Sequence, residues 1–217
     1  MLDPIPPPPR FLQDLVTPWA ERLHLYSLPY HIHEVVAMLI FYSFLHSYVS
    51  PRLSKALFPR HYPQLPRRTQ LNWDIHVVSL VQSVLVTSVA LWVMITDRER
   101  KEMTLEERIY GYTGASGLVQ AMATAYFVYD LIVSAIHIKM FGLGMLFHGI
   151  SALFVFTLGF VRDPFFGKQD ISYTNFMALF VHTETVHQFL RSDIHPLRAL
   201  EPTPQYPLVL GQGQHDR

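Results

Sequence analysis

The sequence contains no cysteine, which removes disulfides, thiolate catalysis and Cys-based zinc or iron–sulfur centres. Charge is scarce as well. Only 16% of residues are Asp, Glu, Lys or Arg, against about 25% in soluble domains. Acids and bases balance at 17 each, so no basic tract marks a nucleic-acid partner. The opening MLDPIPPPPR lacks a basic stretch followed by an apolar core, which argues against a cleavable signal peptide and leaves insertion to internal spans. Gly-rich phosphate loops, nucleophile elbows and zinc-protease motifs are missing too, and no cofactor is expected. What the chain has in quantity is apolar surface: 50% of its 217 residues are hydrophobic. These features predict an all-α, polytopic transmembrane helix bundle.

A bilayer demands about 20 consecutive apolar residues per helix. Four stretches meet that demand: 30–48, stopped by Pro51, then 73–95, 114–137 and 141–161. A fifth candidate at 174–190 is shorter and contains His182, Glu184 and His187. Residues 1–29 are Pro-rich, and Phe11, Leu12, Leu15, Trp19 and Leu23 within them suit a helix lying at the membrane interface. The expected organisation is therefore an N-terminal interfacial segment at 1–29, a membrane domain at 30–161, and a C-terminal segment at 162–217. Loop 51–72 carries five Lys or Arg and no acid before Asp74, which places it in the cytosol by the positive-inside rule and the N-terminus on the lumenal side.

The second span is more than an anchor. Asn72, His76, Ser79, Ser83 and Thr87 recur at helical spacing and fall on one face. In hydrocarbon a polar side chain is costly unless it faces a bundle interior or a wet cavity. The Ser and Thr positions suit hydrogen bonds between helices. Asp74, near the expected start of the helix, suits the positive end of its dipole. The third span repeats the pattern with Ser116, Gln120, Thr124, Asp130, Ser134 and His137. Asp130, an acid well inside an apolar segment, could bond a neighbouring Tyr or His, orient a His, or bind a lipid head group. The fourth span adds His148 and Ser151 among Gly142, Gly144, Gly149 and Gly159, which permit close approach. His76, Asp130 and His148 are thus expected to line one intramembrane cavity.

The first span opens with HIHE at 31–34 and also holds His46. Two imidazoles and Glu34 could bind zinc, but this spacing is a weak signal at a membrane boundary, where polar residues are ordinary. No metal site is expected.

These residues together resemble the TLC domain, the membrane domain of TRAM, LAG and CLN-type proteins. The carriers are the W-x-x-H-x-x-S opening of the second span (Trp73, His76, Ser79, with Ser83 beyond), the YFVYDLI segment containing Asp130, and the His-bearing MLFHGISAL around His148. The resemblance covers roughly 30–161. It implies a helical bundle of the endoplasmic reticulum or a related membrane, concerned with lipid metabolism. The family's ceramide synthase branch joins acyl-CoA to a sphingoid base through a His-His pair and acidic residues. Here the pair is broken, with Phe147 and Gly149 flanking His148, so the chain is closer to the non-synthase members associated with membrane lipid homeostasis. After the fourth span the family carries an E-x-S-x-P-F-L-type helix and further spans. The nearest counterpart here, TETVHQFL, offers Glu184 but no proline. From about Gly167 onward the chain is expected to be a truncated or misread end.

The resulting expectation is a protein of membrane lipid homeostasis, with membrane lipids as partners and Asn72, His76, Ser79, Ser83, Gln120, Asp130 and His148 as lipid-binding residues. The alternative is an N-acyltransferase using acyl-CoA, with His148, Asp130 and His76 as catalytic candidates.

Overall fold

The computed structural model describes residues 3–104 and 112–161. Among the described residues all regular structure is helical. α1 is Arg10–Arg22, α2 Leu28–Phe44, α3 Ser50–Leu57, α4 Arg67–Thr96, α5 Arg98–Glu102, α6 Gly114–Ile136 and α7 Ile138–Thr157, followed by a 3-10 turn at Leu158–Phe160. Among the described residues four stretches are long and apolar enough to cross a membrane: Leu28–Leu57, Arg67–Thr96, Gly114–Ile136 and Ile138–Phe160. The candidate fifth span and the segment from Gly167 lie outside the described residues.

α6 is the central post of the bundle. Of its apolar window 67% is buried, against 33% for the α4 span, 22% for the first span and 11% for the last. Its composition explains the position. Small residues such as Ala115, Gly117, Ala121, Ala123 and Ala125, all buried, let α2, α4 and α7 approach its backbone closely, which is how helices associate where lipid removes the hydrophobic drive. Phe127 stacks on Phe156 of α7 with ring centroids 4.2 Å apart. The opposite faces of the outer helices expose Ile40, Phe44, Val84, Leu91, Ile95, Phe147 and Phe154, as a surface in contact with acyl chains requires.

Pro51 does not stop the first span. The chain continues through a π-turn at Leu45–Val49 into α3, where Pro51 sits in the first turn. The wide turn accommodates a residue that lacks an N–H and would clash with the carbonyl four residues back. α4 likewise begins earlier than its apolar run, at Arg67 directly after Pro66. At 1.5 Å per residue, 30 residues make a helix of about 45 Å, longer than a hydrocarbon core of about 30 Å. α7 is interrupted at Gly142, whose φ of 81° belongs to a left-handed region that glycine enters freely.

α1 forms a helix where the pattern suggested one. Phe11, Leu15 and Trp19 recur four residues apart on one face and are exposed, while Ala20 on the other side is buried.

Candidate functional site

Three tyrosines and their partners form the polar interior where α2, α4 and α6 meet. Tyr42 of α2 is fully buried and its hydroxyl donates to Gln82 of α4. Its ring packs edge-on to Tyr126 and tilted to Tyr129 of α6, with centroids 5.9 and 6.3 Å away. The Tyr126 and Ser79 hydroxyls are paired at 2.7 Å, and the Tyr129 hydroxyl is paired with His46 Nδ1 at 2.8 Å. Ser79 therefore links two helices. Ser83, one turn on, donates to the Ser79 carbonyl of its own helix at 2.9 Å, so neighbouring members of the same stripe do different work.

Gln120 also holds helices together. It is buried, and its Nε2 donates to the Phe156 carbonyl near the end of α7. Gly159 makes room for it, because a Cβ there would overlap the Gln120 amide. Ser116 belongs to the start of α6: its Oγ accepts from the Thr113 N–H at 3.0 Å while its own N–H donates to Thr113 Oγ1 at 3.3 Å, a reciprocal cap. Thr124 is buried as well.

Asp74 is not a dipole-stabilising residue at a helix start, because α4 begins seven positions before it. It is buried, and its two oxygens accept from Ser50 at 2.6 Å and Tyr62 at 2.7 Å. Trp73 beside it donates to Ser54 at 3.0 Å. Burial, then the neighbouring Asp74, raise the Tyr62 hydroxyl above the usual tyrosine range despite Arg67 nearby, so it stays protonated and able to donate. This cluster fixes the turn between α3 and α4.

Two hollows open beside it. The smaller, about 240 Å³, is lined by Asn72, Ile75, His76, Asp130, Val133, Ser134, Phe141 and Met145. Three of the expected lipid-binding residues (Asn72, His76 and Asp130) thus come together from two spanning helices. The larger, about 570 Å³, is lined by His46, Lys55, Tyr62, Arg67, Asp74 and His137 among others. Leu71 and Met140 line it while Asn72 and Phe141 line its neighbour, so both hollows lie at the α4-start, α6-end and α7-start end of the bundle. Asp130 is six residues from the end of α6, roughly 9 Å along the axis, toward the same end of the bundle as the two hollows.

His148 takes a different position. It is exposed and lines neither hollow. The adjoining Gly149 packs against Leu131, and a Cβ there would lie 3.6 Å from Asp130 Oδ2.

The TLC domain model matches residues 72–183, a stretch that begins at Asn72 and takes in Trp73, His76, Asp130 and His148. The chain belongs to the TLC domain family. This family is membrane-associated and linked to lipid metabolism, and with four helices among the described residues long and apolar enough to cross a membrane the chain is an integral membrane protein. The match continues past Gly167, where the sequence suggested a departure. The TLC chain is 32% identical over 156 residues to an uncharacterized TLC domain-containing protein of Schizosaccharomyces pombe, covering 72% of this chain and 51% of that one. It is 28% identical over 130 residues to topoisomerase I damage affected protein 4 of Saccharomyces cerevisiae, covering 59% and 44%. The chain thus spans about half the length of these curated relatives. No solved structure matches it.

Sequence reasoning missed the larger hollow. Its cations, Lys55 and Arg67, lie in what reads as a loop, and its His46 and His137 sit near the ends of two different spans. The π-turn that carries the first span through Pro51 brings His46 and Lys55 to the hollow that Arg67 and His137 also line.

Proposed function

We propose that this TLC protein binds a membrane lipid by its head group at the paired hollows and through that binding affects membrane lipid composition. The observation that carries the reading is the convergence of Asn72, His76 and Asp130 from α4 and α6 on one hollow. A carboxyl, an imidazole and an amide offer donors and acceptors for hydroxyl, amine or amide groups. Lys55 and Arg67 at the larger hollow complement a phosphate or carboxylate. The exposed apolar face of α7 gives acyl chains a surface to follow. The family resemblance supports a setting in the endoplasmic reticulum or a related membrane.

The second reading is acyl transfer from acyl-CoA to a sphingoid base. Asp130 beside Gly149, the residue after His148, favours it, and the broken His pair and the outward position of His148 give it less support. Purified protein incubated with sphingoid base and acyl-CoA, beside His148→Ala and Asp130→Ala, separates the two. The lipid-binding reading expects no N-acyl product and an altered lipidome on deletion of the gene. Product formation by the natural chain that both variants lose would replace it with the acyltransferase reading.

A further inference from the structure

At the far end of α6 from the hollows, roughly 25 Å away along the helix at 1.5 Å per residue, a second group of ionisable side chains converges. His31 and Glu34 sit one turn apart in α2, and each side chain is only 1% exposed. Asp3, from the N-terminal segment, reaches the same point with a side chain 20% exposed. His31 Nδ1 lies 2.9 Å from Glu34 Oε2 and 3.2 Å from Asp3 Oδ2. All three donor groups fall within 4.8 Å of one another.

Counting hydrogen-bond partners leaves this group short of positive charge. His31 Nε2 is engaged by the Tyr112 hydroxyl. Nδ1 carries at most one proton, yet it faces two carboxylate oxygens. Asp3 Oδ1 accepts from the Ile5 N–H at 2.9 Å, which turns Oδ2 toward the imidazole. Glu34 Oε1 is buried and makes no hydrogen bond, although an isolated buried carboxylate oxygen is costly. His33 Nε2 stands 3.9 Å from that oxygen. Gly117 of α6 completes the cradle, since a Cβ there would overlap the His31 ring.

We infer that Asp3, His31 and Glu34 bind a divalent transition cation of the zinc type. Two carboxylates neutralise such an ion, and the imidazole supplies the nitrogen ligand it prefers. Tetrahedral zinc with bonds of about 2.0 Å has ligand-to-ligand edges of about 3.3 Å, close to the two distances here. Tyr112 on Nε2 plays the outer partner that fixes the tautomer and aims Nδ1 at the ion. The sequence motif HIHE could not disclose this, because the third ligand lies 28 positions upstream of His31. The ion would tie the N-terminal segment to α2 and, through Tyr112, to the start of α6. The inference is independent of lipid binding at the other end.

The test uses the full chain with a C-terminal tag free of histidine, stripped with chelator, loaded with Zn²⁺ or Co²⁺ and desalted. About one ion per chain is expected by elemental analysis, with a cobalt visible spectrum of low coordination number. Asp3→Asn and Glu34→Gln preserve shape, so each is expected to stay folded by circular dichroism. Each should lose at least the roughly 10-fold in affinity that outer partners alone contribute. Zinc should raise the melting temperature of the natural chain and not that of Asp3→Asn. Folded natural protein that retains no ion would overturn the proposal, and so would variants that bind like the natural chain. The first result would leave a shared proton as the occupant.

Discussion

The Tyr62 hydroxyl donates to Asp74 Oδ2 at 2.7 Å, joining the connection after α3 to the second turn of α4. With Ser50 on the other oxygen at 2.6 Å, it makes Asp74 a structural anchor beside the larger hollow. Hydrogen bonds to a charged group contribute about 1.5–3 kcal/mol, and a buried charge left unpaired costs more. Tyr62→Phe is therefore expected to lower stability by about 1.5–3 kcal/mol. Asp74→Ala removes the acceptor for both hydroxyls and should cost at least as much. Thermal unfolding in detergent measures both, and a stability unchanged by either substitution would remove the anchor from the account.

The serine stripe of α4 divides into two kinds of contact. Ser79 pairs with Tyr126 across helices, whereas Ser83 bonds within its own helix. Interhelical hydrogen bonds in membranes average about 0.6 kcal/mol with a maximum near 1.7, so Ser79→Ala should fall in that range. Ser83→Ala should be close to neutral. Stepwise denaturation with SDS distinguishes them, and equal effects would contradict the division.

Glycines of the third and fourth spans should differ sharply under substitution. A Cβ at Gly159 meets the Gln120 amide and one at Gly117 meets the His31 ring, while Gly144 has open space. Overpacking costs about 1–3 kcal/mol, so Gly117→Ala and Gly159→Ala are expected to destabilise by that amount. Gly144→Ala should be neutral or mildly stabilising, since alanine gains up to about 1 kcal/mol over glycine in a helix. Melting temperatures of the three variants provide the comparison.

α1 is expected to lie in the interface through Phe11, Leu15 and Trp19. Trp19 fluorescence should be quenched by spin labels placed high on the acyl chain more than by labels near its end. Trp19→Phe, recorded in parallel, isolates that signal from Trp73 and Trp92. Equal quenching at both depths would place α1 elsewhere.

The sequence and the structure agree most closely where period and composition act alone. Apolar runs identify the four spans among the described residues, and the spacing of Phe11, Leu15 and Trp19 identifies the helix α1 with its exposed apolar face. The juxtaposition of His76 with Asp130 was legible as well, because polar groups on spanning helices have few places to go but toward each other. Helix boundaries were less so. Pro51 reads as a stop, yet a π-turn absorbs it, and the charged first turns of α4 extend outside the apolar window. Side chains with several admissible partners could not be sorted from spacing. Ser79, Ser83 and Gln120 all fit a cavity wall, and the structure uses each for packing. Contacts of long sequence separation, such as Asp3 with His31, leave no periodic trace at all.

The central claim is that Asn72, His76 and Asp130 hold a lipid head group. Its most direct test is native mass spectrometry of the protein released from membranes, with bound lipid counted per chain. The natural chain, and Ser88→Ala on the exposed face of α4, are expected to carry a specific lipid class. His76→Leu and Asp130→Asn, still folded, should lose it by about 10-fold or more, the equivalent of about 1.4 kcal/mol. Equal occupancy by that lipid class in all four proteins would contradict the account.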